Sequence, residues 1–213
     1  MRKKILVPVD FSTTAANAVK YAVDFAKANP GYDVLIVHIF MPQVDAEYPN
    51  FIAPMPEYTG YRKTMMEDFL ISMGYAELNH DIWLGFPADE VLKRSTQYDL
   101  IIMGTTGEGG LMDKVLGSVS GAVALKASCP VLLIPAGAAY TPIHRVLYAS
   151  HYDAIKPGAL DSLLAINDIL KATIHFVHVR DKQSASFIAD KENIFRALFD
   201  KGEPSFSFEI AEI

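Results

Sequence analysis

The stretch GTTGEGGLMDKVLGS at residues 104–118 holds five of the chain's 13 glycines and closes on a Gly-Ser pair. It follows the run Asp99-Leu-Ile-Ile-Met103, apolar after its first residue and of the length of a strand buried on both faces. It precedes Val119-Ser-Gly-Ala-Val-Ala-Leu-Lys126, which reads as a helix. Glycines at such a joint let the chain turn off the strand and let backbone come close to a ligand, while Ser118 is placed to cap the helix. A helix N-terminus offers unpaired N–H groups and a partial positive charge, so the chemistry suited to this joint is recognition of phosphate. Neither common phosphate signature fits. A P-loop requires Gly-Lys-Ser/Thr in succession where this chain has Asp113-Lys114-Val115, and a GxGxxG run starting at Gly107 needs glycine where Met112 stands.

A second polar group ends another apolar run, since Asp10 follows Ile5-Leu-Val-Pro-Val9. It is either a ligand residue or a turn residue that competes with Ser12 to cap the next helix. Among the six histidines, His175 and His178 stand three apart on a strand, point to opposite faces and offer no metal pair. His38 reads as a strand-end packing residue. The single cysteine, Cys129, rules out an intrachain disulfide framework; set before Pro130 at a helix-to-strand handover, it reads as a buried structural thiol. No Ser/His/Asp order and no pair of carboxylates stands out as catalytic.

Bringing Asp10 to the glycine loop needs a scaffold. Strand patterns at 4–9, 33–39, about 80–84, 99–103 and 131–134 alternate with helix patterns at about 14–28, 60–73, 87–96 and 118–127. Alternation of this kind implies an α/β fold, a parallel sheet with helices on both faces. Residues 41–60, with four prolines, form too long a connection to be ordinary and read as a surface loop or a lid. A hydrophobic content of 51% is ample for a core, and the net charge of −6 argues against nucleic-acid and acidic-membrane partners. The apolar run after Arg2-Lys3-Lys4 stops at Asp10, so the opening is not a signal peptide, and the chain reads as cytoplasmic with no membrane span.

The two ends of the chain resemble each other. Lys4-Ile5-Leu6-Val7 is echoed by Arg145-Val146-Leu147-Tyr148, and Val37-His38-Ile39 by Val177-His178-Val179, both displaced by about 140 residues. This predicts a complete unit at 1–136, a linker at 137–142 and an incomplete second copy at 143–213, reaching a strand-like Phe206-Ser-Phe-Glu-Ile210. The counterpart of Asp10 is His151, and the counterpart of the glycine loop is missing, so the second copy is expected to lack the phosphate-suited joint of the first.

The spacing Gly104-x2-Gly107-x9-Gly117-Ser118 resembles the nucleotide-binding signature of the universal stress protein family. Ile5-Leu-Val-Pro-Val-Asp-Phe-Ser12, Val37-His38-Ile39 and Ser128-Cys-Pro-Val-Leu-Leu-Ile-Pro135 resemble the family's first, second and last strands in order. The resemblance implies an open five-stranded parallel sheet of order 3-2-1-4-5, followed here by a partial second copy. It also implies ATP, together with Mg2+, as the ligand. The residues matching the adenosine contacts are Pro8, Val9, Asp10 and Ile39; those lining the loop are Met103, Gly104 and Gly107; those holding the phosphates are Gly117, Ser118, Val119 and Ser120. Glu108 departs from the family, where a basic or neutral residue is common after the second glycine. A carboxylate that close to phosphate is repulsive by about 1 kcal/mol or more, which a bridging magnesium ion would reverse, with Asp113 as a further carboxylate nearby; Lys114 reads as a solvated charge. The last strand of the family unit commonly pairs antiparallel with its copy, so a homodimer through residues 131–135 is expected. The function implied is a nucleotide-responsive stress or signalling module with at most slow ATP hydrolysis. An adenylate-forming or pyrophosphatase-like enzyme on the same architecture, and a dimerisation scaffold that binds no nucleotide, are the alternatives.

Overall fold

The computed structural model describes residues 2–41, 55–105, 116–149, 159–180 and 206–212. The chain divides into two compact units, Met1–Thr141 and Pro142–Ile213. In the first, β1 (Lys3–Val9), α1 (Thr13–Ala28), β2 (Tyr32–Phe40), α2 (Met55–Ser72), β3 (His80–Leu84), α3 (Pro87–Arg94), β4 (Leu100–Gly104), α4 (Ser118–Lys126) and β5 (Val131–Ile134) follow in order. The strands form one parallel sheet of order β3-β2-β1-β4-β5, as the family resemblance implies.

Strand alternation sorts the core into two layers. Leu6, Val37, Ile39, Trp83, Ile101 and Met103 pack with Val91 of α3 and Val123 of α4 on one face. The opposite parity, Ile5, Val7, Ile36 and Ile102, is also buried, on the face covered by α1 and α2. Both helices are apolar on that side, with Ala18, Val19, Ala22, Phe25, Met66 and Leu70 buried. Burial on both faces is why these strands read as continuous apolar runs rather than alternating ones.

Helix α2 begins at Met55, five residues before its sequence-based start. The difference comes from Pro56: in a first helical turn its missing N–H is not needed, so this proline opens the helix instead of excluding it. Of the expected 41–60 connection, residues 42–54 lie outside the described residues. At the other end of the unit the chain beyond β5 is held to α1. Asn17 Nδ2–H donates to the carbonyls of Pro135 and Ala138, both at 3.0 Å, and the Tyr140 ring packs on Tyr21 and Phe25 at 5.3 and 5.8 Å. Residues 135–140 therefore go with the first unit, into the stretch the sequence reading gave to a linker.

The second unit contains β6 (Arg145–Ala149), α5 (Ala159–Leu170), β7 (Thr173–Arg180) and β8 (Phe206–Glu212), in a parallel sheet of order β6-β7-β8. Among the described residues β6 has a strand on one side only, and Leu147 is 67% exposed where its sequence counterpart Leu6 is fully buried. Leu6 owes its burial to β4, which pairs beside it, and to the α3 and α4 side chains in the same core layer.

Candidate functional site

The carboxyl end of β1 carries the first group of predicted residues. Pro8 is half-buried, Val9 is buried and Asp10 is exposed. Ser12 wins the capping position: its side chain accepts from the Ala15 N–H at 3.1 Å at the head of α1. Asp10 Oδ1 accepts from the Ser12 N–H at 3.1 Å, so its carboxylate bends back over the turn while remaining at the surface. Between them Phe11 has φ of 65°, a left-handed conformation uncommon for a bulky residue.

Beneath this turn lies His38. It pairs with Val9 in the register of β1 and β2, is only 7% exposed, and its Nδ1 lies 2.9 Å from the Val9 carbonyl. Contact with a carbonyl oxygen requires that Nδ1 carry the proton and donate. The His38 ring lies 4.3 Å from that of Phe11, which meets Phe69 edge-on at 5.4 Å. Burial is the main influence on His38 and pushes its pKa below the usual histidine value, favouring the neutral ring.

The carboxyl end of β4 carries the second group. Met103 and Ile39 are buried in the core layer next to α3 and α4, so their side chains are committed there and main chain is what they offer a ligand. Gly104 is glycine for a packing reason. A Cβ there would stand 2.8 Å from Thr14 Cγ2 and 3.2 Å from the Thr14 carbonyl carbon and oxygen, because the first turn of α1 presses on the end of β4. That contact adds a packing requirement to the turn and ligand roles expected of Gly104.

Helix α4 opens differently from the sequence reading. Gly117, not Ser118, is the N-cap, with no side-chain cap bond, and Ser118 is the first helical residue. The reason is a pair of ties to Thr105, the residue after β4. The Gly117 N–H donates to the Thr105 carbonyl at 2.6 Å, and the Ser120 hydroxyl donates to the same oxygen at 2.7 Å. The first intrahelical bond runs from the Gly121 N–H to the Gly117 carbonyl, so by helix geometry the N–H groups of Ser118, Val119 and Ser120 have no acceptor within α4. Gly117 sits at φ −68° and ψ 161°, open to any residue, so its backbone does not demand glycine.

These groups converge by topology. The sheet order reverses between β1, whose neighbour on the other side is β2, and β4, whose other neighbour is β5. In an open α/β sheet the crevice outside the carboxyl ends of two such strands is where ligands enter. Asp10 follows β1, Gly104 ends β4, and Thr105 ties the N-terminus of α4 to the same edge. Gly107, together with Glu108, Gly109, Gly110, Asp113 and Lys114, lies outside the described residues, as does His151. Among the described residues no cluster of three or more His, Cys, Asp or Glu is arranged to hold a metal ion, and no helix is long and apolar enough to cross a membrane. Burial pushes the half-buried Cys129 thiol up to about 11, which leaves it protonated and unreactive at neutral pH.

Residues 1–135 match the universal stress protein family. The chain belongs to that family. The universal stress protein MJ0531 of Methanocaldococcus jannaschii is 30% identical over 141 residues, which span 62% of this chain and 81% of that protein. The solved structure of MJ0577, a universal stress protein of the same archaeon, is 31% identical, covers 63% of this chain and 96% of its own, and superposes with a TM-score of 0.52. A universal stress protein from Archaeoglobus fulgidus DSM 4304 has 18% identity and shares the fold, with a TM-score of 0.65 over 99% of this chain and 78% of its own.

Within this universal stress protein the sequence pattern located Asp10, Gly104 and Gly117–Ser120 but missed what holds them. Thr14, Thr105 and the left-handed Phe11 carry no local signal, since their roles arise from contacts across elements. His38 was visible as a buried strand residue, but its bond to Val9 depends on the β1–β2 register.

Proposed function

We propose that this universal stress protein binds ATP, together with Mg2+, at the carboxyl edge of its five-stranded sheet, and serves in the cytoplasm as a nucleotide-responsive stress or signalling module. The observation that carries this reading is the opening of α4. Three successive N–H groups, of Ser118, Val119 and Ser120, lack helical acceptors, and Gly117 before them presents no side chain. Donors without helical partners, together with the helix dipole, suit an anionic phosphate. Adenosine would lie toward Pro8, Val9, Asp10 and the main chain of Ile39, with Met103, Gly104 and Gly107 along the loop between. The Ser120 hydroxyl is already given to Thr105, so its contribution to the ligand would be its backbone N–H. Magnesium would enter on the phosphate oxygens and supply charge neutralisation. Hydrolysis would be slow at most, because the loop at residues 104–118 carries no arginine to offset developing charge.

Two further statements belong to the same proposal. Residues 143–213 form a second copy of the front part of the family unit, with His151 where the first has Asp10; their parallel order β6-β7-β8 repeats that of β1-β2-β3, which supports the reading. Two chains join through residues 131–135. Strand β5 ends the sheet, Val131, Leu132 and Leu133 are only half-buried, and Leu125 on the adjoining α4 is 86% exposed, a combination that favours pairing of edges.

Mass spectrometry of ligand released from the purified, denatured protein tests the nucleotide, and calorimetry with Gly117→Val tests its place. Because the Gly117 backbone suits any residue, valine adds bulk without backbone strain, and ATP affinity should fall at least tenfold, roughly 1.4 kcal/mol, with little effect on folding. Unaltered affinity in the folded variant would remove the phosphate assignment. A protein that neither retains nor binds a nucleotide would be the scaffold, and one that consumes a second substrate with ATP would be the enzyme.

A further inference from the structure

His38 is more than a space-filling residue. Its ring is buried on the α1 and α2 side of the sheet, Nδ1 donates to the Val9 carbonyl, and Nε2 is buried with no hydrogen-bond partner among the described residues. With Nδ1 protonated, Nε2 is a lone-pair acceptor left unsatisfied, a cost that a phenylalanine of similar shape would not carry. Simple packing is therefore a poor account of an imidazole at this position. The ring's nearest aromatic contact belongs to the turn after β1. The Phe11 ring lies 4.3 Å from the imidazole, tilted by 32°, and Phe40 at the end of β2 lies nearly parallel to it at 6.1 Å. Phe11 takes its left-handed conformation in contact with this imidazole, and Asp10 lies between the residue His38 bonds and the residue whose ring it touches.

We propose that His38 is a positioning residue for the adenosine end of the crevice: by bonding the Val9 carbonyl beneath the Phe11 ring, it fixes the turn that presents the Asp10 carboxylate. This inference rests on the nucleotide reading above for its consequence, but its mechanical part stands in the unliganded protein. The Ser12 amide reports on it directly, because that N–H is held by Asp10 Oδ1.

The test uses two variants of the full chain at pH 8. His38→Phe keeps an aromatic ring against Phe11 and removes the donor. His38→Asn sets an amide N–H where Nδ1 was and so keeps the bond to Val9. Amide hydrogen exchange read by NMR on the unliganded protein should show the Ser12 N–H exchanging about three- to tenfold faster in His38→Phe, the loss expected for one neutral hydrogen bond, and near the parent rate in His38→Asn. Protection of β1 and β2 amides in both variants establishes that the sheet is intact. Calorimetry should then show ATP and adenosine weakened by the same factor in His38→Phe and recovered in His38→Asn. Equal Ser12 exchange in all three proteins overturns the proposal, and so does equal loss in both variants with the sheet protected. If the parent binds neither ligand, the nucleotide reading fails by itself, while the exchange pattern still decides whether His38 holds the turn.

Discussion

Replacing Gly104 with alanine separates packing from ligand binding at the head of the glycine loop. The added methyl would stand 2.8 Å from Thr14 Cγ2 and 3.2 Å from the Thr14 carbonyl carbon and oxygen. The first contact is closer than folded proteins tolerate and the others are tight. Thr14 is 7% exposed in the first turn of α1, and that helix is anchored by the Ser12 cap, so it has little room to retreat. Overpacking of this kind costs about 1–3 kcal/mol, and we expect Gly104→Ala to lower the stability of the first unit by that amount in urea denaturation followed by circular dichroism. Thr14→Ala removes Cγ2 and leaves the backbone contacts, so the double variant should recover part of the loss. A coupling of about 0.5 kcal/mol or more between the two sites is the expected signature of direct contact. Two results would refute the reasoning: Gly104→Ala as stable as the parent, or a double variant whose losses simply add. A fall in ATP affinity with no fall in stability would return Gly104 to the ligand and take it from the helix.

Asp10→Ala should weaken ATP and adenosine by similar factors in calorimetry, since Asp10 follows β1 and the phosphate-facing donors belong to α4; selective loss of ATP would put the residue at the wrong end of the nucleotide. Light scattering at tens of micromolar should show a dimer, and Leu132→Lys/Leu133→Pro should convert it to a monomer that remains folded, whereas a dimer that survives the change places the contact elsewhere. The protein should also lose stability on mild acidification through His38. Burial lowers its folded-state pKa, so the unfolded chain takes up the proton first: the contribution is complete above the unfolded value of about 6.5 and is lost as pH falls through the lowered folded value. His38→Asn should flatten that part of the curve of urea midpoint against pH, and an unchanged slope would mean that other groups control it.

Much of the fold was legible in the sequence because burial on both faces leaves a local mark. The runs at Ile5–Val9 and Leu100–Met103 are apolar throughout because α1 and α2 close one side of the sheet and α3 and α4 the other. Strand order was accessible only through the family resemblance, since alternation specifies a parallel sheet without saying which strands adjoin. The boundary errors have local causes: Pro56 read as loop but opened α2, and Ser118 read as a cap but became the first helical residue once Gly117 was tied to Thr105. At the site, the residue types Asp10, Gly104 and Gly117 announced themselves, whereas their constraints did not.

Residue type, periodicity and spacing by themselves determined an α/β unit with an acidic strand end and a glycine-rich joint, because each of these is a property of neighbouring residues along the chain. Tertiary structure alone decided that Gly104 must be glycine for Thr14, that the Ser120 hydroxyl faces Thr105, and that His38 holds Val9 while Phe11 turns left-handed above it. Each of those facts is a contact of a few ångströms between segments distant in sequence. Such contacts follow from the register of β1 against β2 and from how closely α1 approaches β4, quantities that no local pattern encodes.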